Sequence, residues 1–204
     1  MIEIIDYGAG NLRSVLKGLE AVGAEVRLCS DPAALDSACG VVFPGQGAFE
    51  TSADQLEKMG FVEPLRRYIQ QDRPYLGICL GLQLLFETSH EAPGKFGLGI
   101  FKGGNQTFKP GKKIPHMGWN SVHWKKNSNF NLDLPQDSFF YFVHSYFPVP
   151  DDPEIIAGIT DYEEPFCSAI QRGNLAAVQF HPEKSQKMGL GLLKNFVDLC
   201  QKKG

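Results

Sequence analysis

The chain has 204 residues, 43% of them hydrophobic, enough to bury a core of ordinary size as one domain and too apolar for a disordered chain. Formal net charge is -3, and lysines and arginines are scattered apart from short pairs such as Lys112 with Lys113 and Lys125 with Lys126, which excludes a continuous basic face for nucleic acid. Five cysteines at irregular spacing, with no CxxC pair, argue against a disulfide framework and a zinc site and fit a reducing compartment.

The amino terminus, Met1 to Asp6, is too short and too acidic for a secretory signal. No apolar run approaches membrane-spanning length, so a soluble, cytoplasmic protein is expected. Ile2 to Ile5 reads as a short apolar strand. Asn11 can then cap a helix that carries Leu12, Val15, Leu16, Leu19 and Val22 on one face and ends at Gly23. Strands follow at Val26 to Leu28 and Val41 to Phe43, the second leading into the glycine-rich Pro44, Gly45, Gln46, Gly47. Helical patterns cover Asp54 to Met59 and Val62 to Gln71. Strand and helix alternating at these lengths imply right-handed crossovers, a mostly parallel sheet, and sites at the carboxyl ends of its strands.

The next strand, Pro74 to Ile78, enters Gly77, Ile78, Cys79, Leu80, Gly81, and Leu82, Leu84, Leu85 and Phe86 follow in a helical pattern. Small residues flanking a candidate nucleophile at a strand-to-helix turn make a nucleophile elbow with Cys in place of Ser. A helix start would set partial positive charge beside the sulfur and favour thiolate. Taken alone, Cys79 reads as a small buried residue before it reads as a nucleophile, since free Cys is among the most buried residue types.

From about Gly94 to Arg172 the texture changes to short strand-like pieces, such as Phe139 to Val143 and Cys167 to Gln171. Antiparallel strands attached to the same sheet are expected there. Ala176 to Phe180 then runs into His181, Pro182, Glu183. On extended backbone His181 and Glu183 share a face, so Glu183 can hold one imidazole nitrogen while the other meets a thiol. By itself that tripeptide reads as a surface turn, and the pairing with an elbow cysteine reverses the balance. Leu192, Leu193, Phe196, Val197 and Cys200 recur at helical spacing in Leu190 to Cys200, a core-packing helix. The expected fold is therefore α/β, a single domain over residues 1–204. Its mostly parallel central sheet is flanked by helices and gains antiparallel strands in the second half.

The elbow Gly-x-Cys-x-Gly-x-Gln, the distant His-Pro-Glu and the upstream Pro-Gly-x-Gly loop together resemble the class I, triad-type glutamine amidotransferases. Asp6, Tyr7, Gly8, Ala9, Gly10, Asn11 and Pro115, His116, Met117, Gly118, Trp119, Asn120 are similar to segments of one branch, the glutaminase subunits of imidazole glycerol phosphate synthase. The likeness spans nearly the whole chain. It implies hydrolysis of glutamine to glutamate and ammonia by Cys79, His181 and Glu183, and passage of the ammonia to a separate cyclase subunit of histidine biosynthesis in a heterodimer. It places oxyanion donors at Leu80 and in the Gly45, Gln46, Gly47 loop, where Gln46 stands in place of a small apolar residue. Gln83, Glu91, His144, Ser145 and Tyr146 match substrate-pocket positions, and Asn11, Trp119, Tyr141 and Lys184 match positions facing the cyclase.

The residues keep bland readings beside these. Glu91 with Glu87 reads also as solvated charge, His144 as a satisfied structural histidine, Trp119 as ordinary core, and Asn11 as a helix cap. A cysteine peptidase or gamma-glutamyl hydrolase would use the same thiol and base, but Gln83 with Glu91 suggests a pocket for a free amino acid. A non-catalytic binding module would not need Cys79, His181 and Glu183 intact. The pyridoxal phosphate synthase glutaminase is the nearest rival within the family, and Pro115 to Asn120 points away from it. No cofactor is expected, since neither Gly8, Gly10 nor Gly45, Gly47 completes a phosphate-binding pattern. The five dispersed histidines give no metal set.

Overall fold

The structure, a computed structural model, describes residues 1–8, 11–109, 111, 113–162 and 164–202. Ala9 and Gly10 of the amino-terminal motif and Lys112 lie outside them. The first half alternates β1 (Ile2–Ile5), α1 (Leu12–Ala21), β2 (Val26–Cys29), β3 (Gly40–Gly45), α2 (Phe49–Lys58), α3 (Val62–Gln70) and β4 (Tyr75–Cys79). A one-turn helix α4 (Leu80–Gln83) precedes β5 (Phe86–Ser89), β6 (Phe101–Thr107), β7 (His116–Trp124), β8 (Ser138–His144) and β9 (Tyr146–Pro150). The chain closes with β10 (Ile156–Asp161), β11 (Pro165–Arg172), β12 (Leu175–Val178) and α5 (Gln186–Gln201).

Nine of these strands form one sheet in the order β2-β1-β3-β4-β12-β11-β10-β7-β8. The five from β2 to β12 are parallel, and the pairings from β12 onward to β8 are antiparallel. Because side chains alternate along a strand, each parallel strand feeds two cores. Val41, Phe43 and Tyr75 pack with α2 and α3, through Phe49, Leu56, Leu65 and Tyr68. Val42, Leu76 and Ile78 pack instead with Val15 and Leu19 of α1 and Leu192, Leu193 and Phe196 of α5. The far edge bends back on itself: Tyr141 of β8 bridges to His181, just beyond β12, with the His181 amide donating to the Tyr141 carbonyl at 2.9 Å. The edge strand β8 thus meets the end of the central strand β12, four places away in the sheet order.

Four expectations are corrected. Leu84, Leu85 and Phe86 do not extend a helix after the elbow; α4 ends at Gln83 and Phe86 begins β5. These residues are wholly buried on all sides, and an unbroken apolar run carries no period to separate helix from strand. The second-half strands do not all join the main sheet, because β5, β6 and β9 make a separate three-stranded sheet. Helix α2 starts at Phe49, five residues before the predicted Asp54, since Phe49 and Ser52 bury its first turn. Asn11 occupies the N-cap position of α1 without a side-chain capping bond.

Candidate active site

Cys79 ends β4 with φ 55 and ψ -105, a left-handed backbone that only a tightly determined environment holds on a residue with a side chain. Three glycines make that environment. A Cβ on Gly81 would lie 2.0 Å from the Phe43 carbonyl oxygen, one on Gly77 2.7 Å from the Gly81 oxygen, and one on Gly45 2.5 Å from Leu80 Cβ. The chain can reverse here only because these positions lack side chains. With α4 a single turn, the electrostatic support of a long helix expected for the sulfur reduces to the local amides of that turn.

His181 and Glu183 come together as the sequence suggests, though not on an extended strand. His181 caps a 3-10 turn over Pro182–Lys184, and Pro182 sets the first dihedral of that turn. Its Nδ1 lies 2.8 Å from Glu183 Oε1, with the two side chains 2% and 1% exposed. Ser185 Oγ donates to the His181 carbonyl at 2.6 Å and accepts from the Tyr141 amide at 2.9 Å, which fixes the turn against β8. Burial by itself would lower the imidazole, but the Cys79 sulfur and then the Glu183 carboxylate outweigh it and raise it to about 9. Nε2 makes no hydrogen bond of standard geometry among the described residues, and the neighbouring Cys79 sulfur is the largest influence that raises the ring.

Cys79 opens onto a cleft of about 420 Å³ whose walls include Gln46, Gly47, Leu80, Gln83, Glu91, His144, Ser145 and Tyr146. Gln46 and Gly47 face the cleft, with Gly47 at φ +120, whereas Gly45 is the last residue of β3 and sits beside Cys79 as its register partner. Glu91 Oε2 accepts from the Phe49 amide at 3.0 Å, and so ties the cleft to the first turn of the helix that follows the Gln46 loop. Gln83 donates through Nε2 to the Tyr146 carbonyl at 2.7 Å and to Gln179 Oε1 at 3.2 Å. His144 has both ring nitrogens engaged, Nδ1 with the Tyr146 carbonyl at 2.9 Å and Nε2 with His116 Nδ1 at 3.0 Å. Burial depresses His144 to about 3 and His116 to about 4, so both are neutral.

Tyr141 and Lys184 line the mouth of the cleft, with Lys184 Nζ 6.0 Å from the Tyr141 ring centroid. Trp119 stands across from Tyr141 on β7, their rings 6.2 Å apart, and is 47% exposed rather than core. Asn11 lines a small crevice with Gln46, His181 and Glu183. Of the four residues matched to a partner face, Tyr141 and Lys184 thus line the cleft, Asn11 lies beside His181 and Glu183, and Trp119 packs against Tyr141. Sequence reading passed over Gln179, whose Nε2 lies 3.6 Å from the Cys79 sulfur. Its signal was the one polar side chain inside the apolar run Ala176 to Phe180.

Residues 3–199 match the family model of the class-I glutamine amidotransferases. A protein of Syntrophotalea carbinolica named imidazole glycerol phosphate synthase subunit HisH is 49% identical over 98% of this chain and 100% of its own length. One of the same name from Aquifex aeolicus is 50% identical over 98% of this chain and 97% of its length. A solved structure described as a glutamine amidotransferase superposes with a TM-score of 0.75 at 16% identity, covering 98% of both chains, which is a likeness of fold.

Proposed function

Since the chain belongs to the class-I glutamine amidotransferases, in the branch of the imidazole glycerol phosphate synthase subunit HisH, we infer that it hydrolyses glutamine and delivers the ammonia to a partner cyclase subunit in histidine biosynthesis. The observation that carries the reading is a buried Cys79, His181 and Glu183 set opening onto a cleft sized for a free amino acid. No helix among the described residues is long and apolar enough to cross a membrane. A cytoplasmic heterodimer is the setting proposed.

The geometry supports the following steps. Cys79 attacks the carboxamide carbon of glutamine as its thiol proton passes to His181 Nε2, and Glu183 holds Nδ1 and stabilises the imidazolium. The amide oxygen takes the negative charge, with the Leu80 amide and the Gln46 to Gly47 peptides as its donors. Collapse of that intermediate breaks the C–N bond. His181 returns its proton to the departing nitrogen, which leaves as ammonia, and a glutamyl thioester remains. Water, deprotonated by His181, adds to the thioester, and expulsion of the Cys79 sulfur frees glutamate. Glu91 offers a carboxylate to the substrate ammonium, and Gln83, its nitrogen engaged by Tyr146 and Gln179, presents its oxygen. Trp119, Tyr141, Lys184 and Asn11 form the face on which the partner docks and through which ammonia departs.

The test is glutamate release from glutamine by the purified chain, alone and with an added cyclase subunit and its ribonucleotide substrate. Low release alone and strong release with both additions supports the coupled reading. High release by the chain alone would favour a free-standing hydrolase.

A further inference from the structure

The hydrogen bonds around the nucleophile have a direction, and one group sets it. The Tyr146 carbonyl can only accept, so the atoms of Gln83 and His144 that reach it carry hydrogens. Gln83 therefore turns its NH2 group inward, and that same nitrogen meets Gln179 at 3.2 Å. Gln179 must answer with its oxygen, which leaves its own NH2 group facing the Cys79 sulfur at 3.6 Å. In the other direction His144 carries its proton on Nδ1, accepts at Nε2 from His116, and His116 Nε2 accepts from Asn120 Nδ2 at 3.3 Å. Asn120 Nδ2 also donates to the Asp161 carbonyl at 2.8 Å, which fixes its nitrogen end independently. Neither amide can flip without setting two donors or two acceptors against each other.

We propose that Gln179 is a further catalytic residue, an N–H donor of fixed orientation that favours the thiolate of Cys79, held in place by Gln83 and the Tyr146 carbonyl. The proposal rests on the reading of Cys79 as nucleophile. A donor to sulfur stabilises the anion far more than the neutral thiol, because charge-assisted bonds are roughly twice as strong and a thiol sulfur accepts weakly. The Val143 carbonyl, 3.9 Å from the sulfur, acts in the opposite sense by accepting from the thiol. The titratable groups around the sulfur are His181 with Glu183, Tyr7, whose phenol burial pushes above its ordinary range, and, lining the same cleft, His144, Tyr141, Tyr146, Glu91 and Lys184. Gln179 is wholly buried, a position where Leu or Met would fill space without a polar group to satisfy.

Alkylation of Cys79 by iodoacetamide reads thiolate directly and needs neither glutamine nor partner, so it stands or falls separately from the glutaminase reading. The experiment compares wild type, Gln179→Glu and Gln179→Met from pH 6 to 10, with Cys79→Ser giving the background from the other cysteines. Gln179→Glu keeps the oxygen that faces Gln83 but replaces the donor with a charge, whereas the neutral Gln179→Met removes the donor without one, so Gln179→Met carries the donor reading and Gln179→Glu covers loss of fold in it. The expected result is alkylation about tenfold slower at pH 7 in folded variants, converging on the wild-type rate at pH 10. A pH 7 rate within about twofold of wild type in a folded variant overturns the proposal. So does a loss equal at every pH, which would mean altered access to the sulfur rather than altered ionisation.

Discussion

At the scale of single residues the site depends on groups whose partners are already in place. Glu183 holds His181 Nδ1 at 2.8 Å in a nearly dry environment, so Glu183→Gln removes both an orienting acceptor and the charge that helps raise the imidazole. Glutamate release measured with the cyclase present should fall by about 100-fold or more, the usual range for a lost acid-base function. Cys79→Ser should abolish release while partner binding, followed by calorimetry, is kept; retained turnover would refute the nucleophile. Both residues were legible because each sits in a local motif. Gln179 was not, since nothing in Ala176 to Phe180 says that a sulfur a hundred positions away will lie beside it, and only the pairing of β12 with β4 brings the two together.

At the scale of elements, the elbow and the polar chain behind it constrain different measurements. A methyl on Gly81 would press into the Phe43 carbonyl, and there is little room to retreat because Phe43 lies on β3, paired with β4, and Gly81 follows β4 by two residues in α4. Gly81→Ala should lower the urea-unfolding free energy by about 1–3 kcal/mol or more, the range for overpacking; an unchanged midpoint would mean that the turn is looser than its geometry implies. The His116 and His144 pair gives a pH dependence. In the unfolded chain each histidine takes a proton near pH 6.5, whereas in the fold they resist until about 4 and about 3. The unfolded state thus binds more protons in that window, so stability should fall as pH drops from about 6.5 toward 4. His116→Phe can keep the stack between Phe142 and Tyr162, 4.9 and 4.1 Å away, and should make that slope shallower in urea titrations from pH 7 to 4.5. The parallel half of the sheet was readable because its helices have a clear period and its strands are bounded by glycine and proline. The β5-β6-β9 sheet was not, because Phe101 to Thr107 and Tyr146 to Pro150 hold glycines, asparagine and prolines whose pairing depends on distant partners.

At the scale of the whole molecule, the curl of the sheet turns a pairing accident into a functional surface. Because β8 returns to His181, the outer side of the β7 and β8 hairpin lies directly against the triad, and its exposed side chains include Met117, Trp119 and Phe139. Exposed apolar groups on the hairpin that pairs with His181 are unfavourable in a lone protein and useful in an assembled one, as the proposed coupling to a partner requires. Trp119 is placed to be an anchor: aromatic, half exposed, braced edge-on by Tyr141, and next in sequence to Asn120 at the start of the polar chain toward Cys79. Trp119→Ala should therefore weaken cyclase binding by about 30-fold or more, the level that marks a dominant interface residue, while the unfolding midpoint of the isolated chain stays near wild type. Calorimetric titration against the cyclase checks the first part and urea unfolding the second. Wild-type affinity in a folded Trp119→Ala protein would move the docking face elsewhere, and the nearness of this hairpin to the triad would then need another explanation than the transfer of ammonia across it.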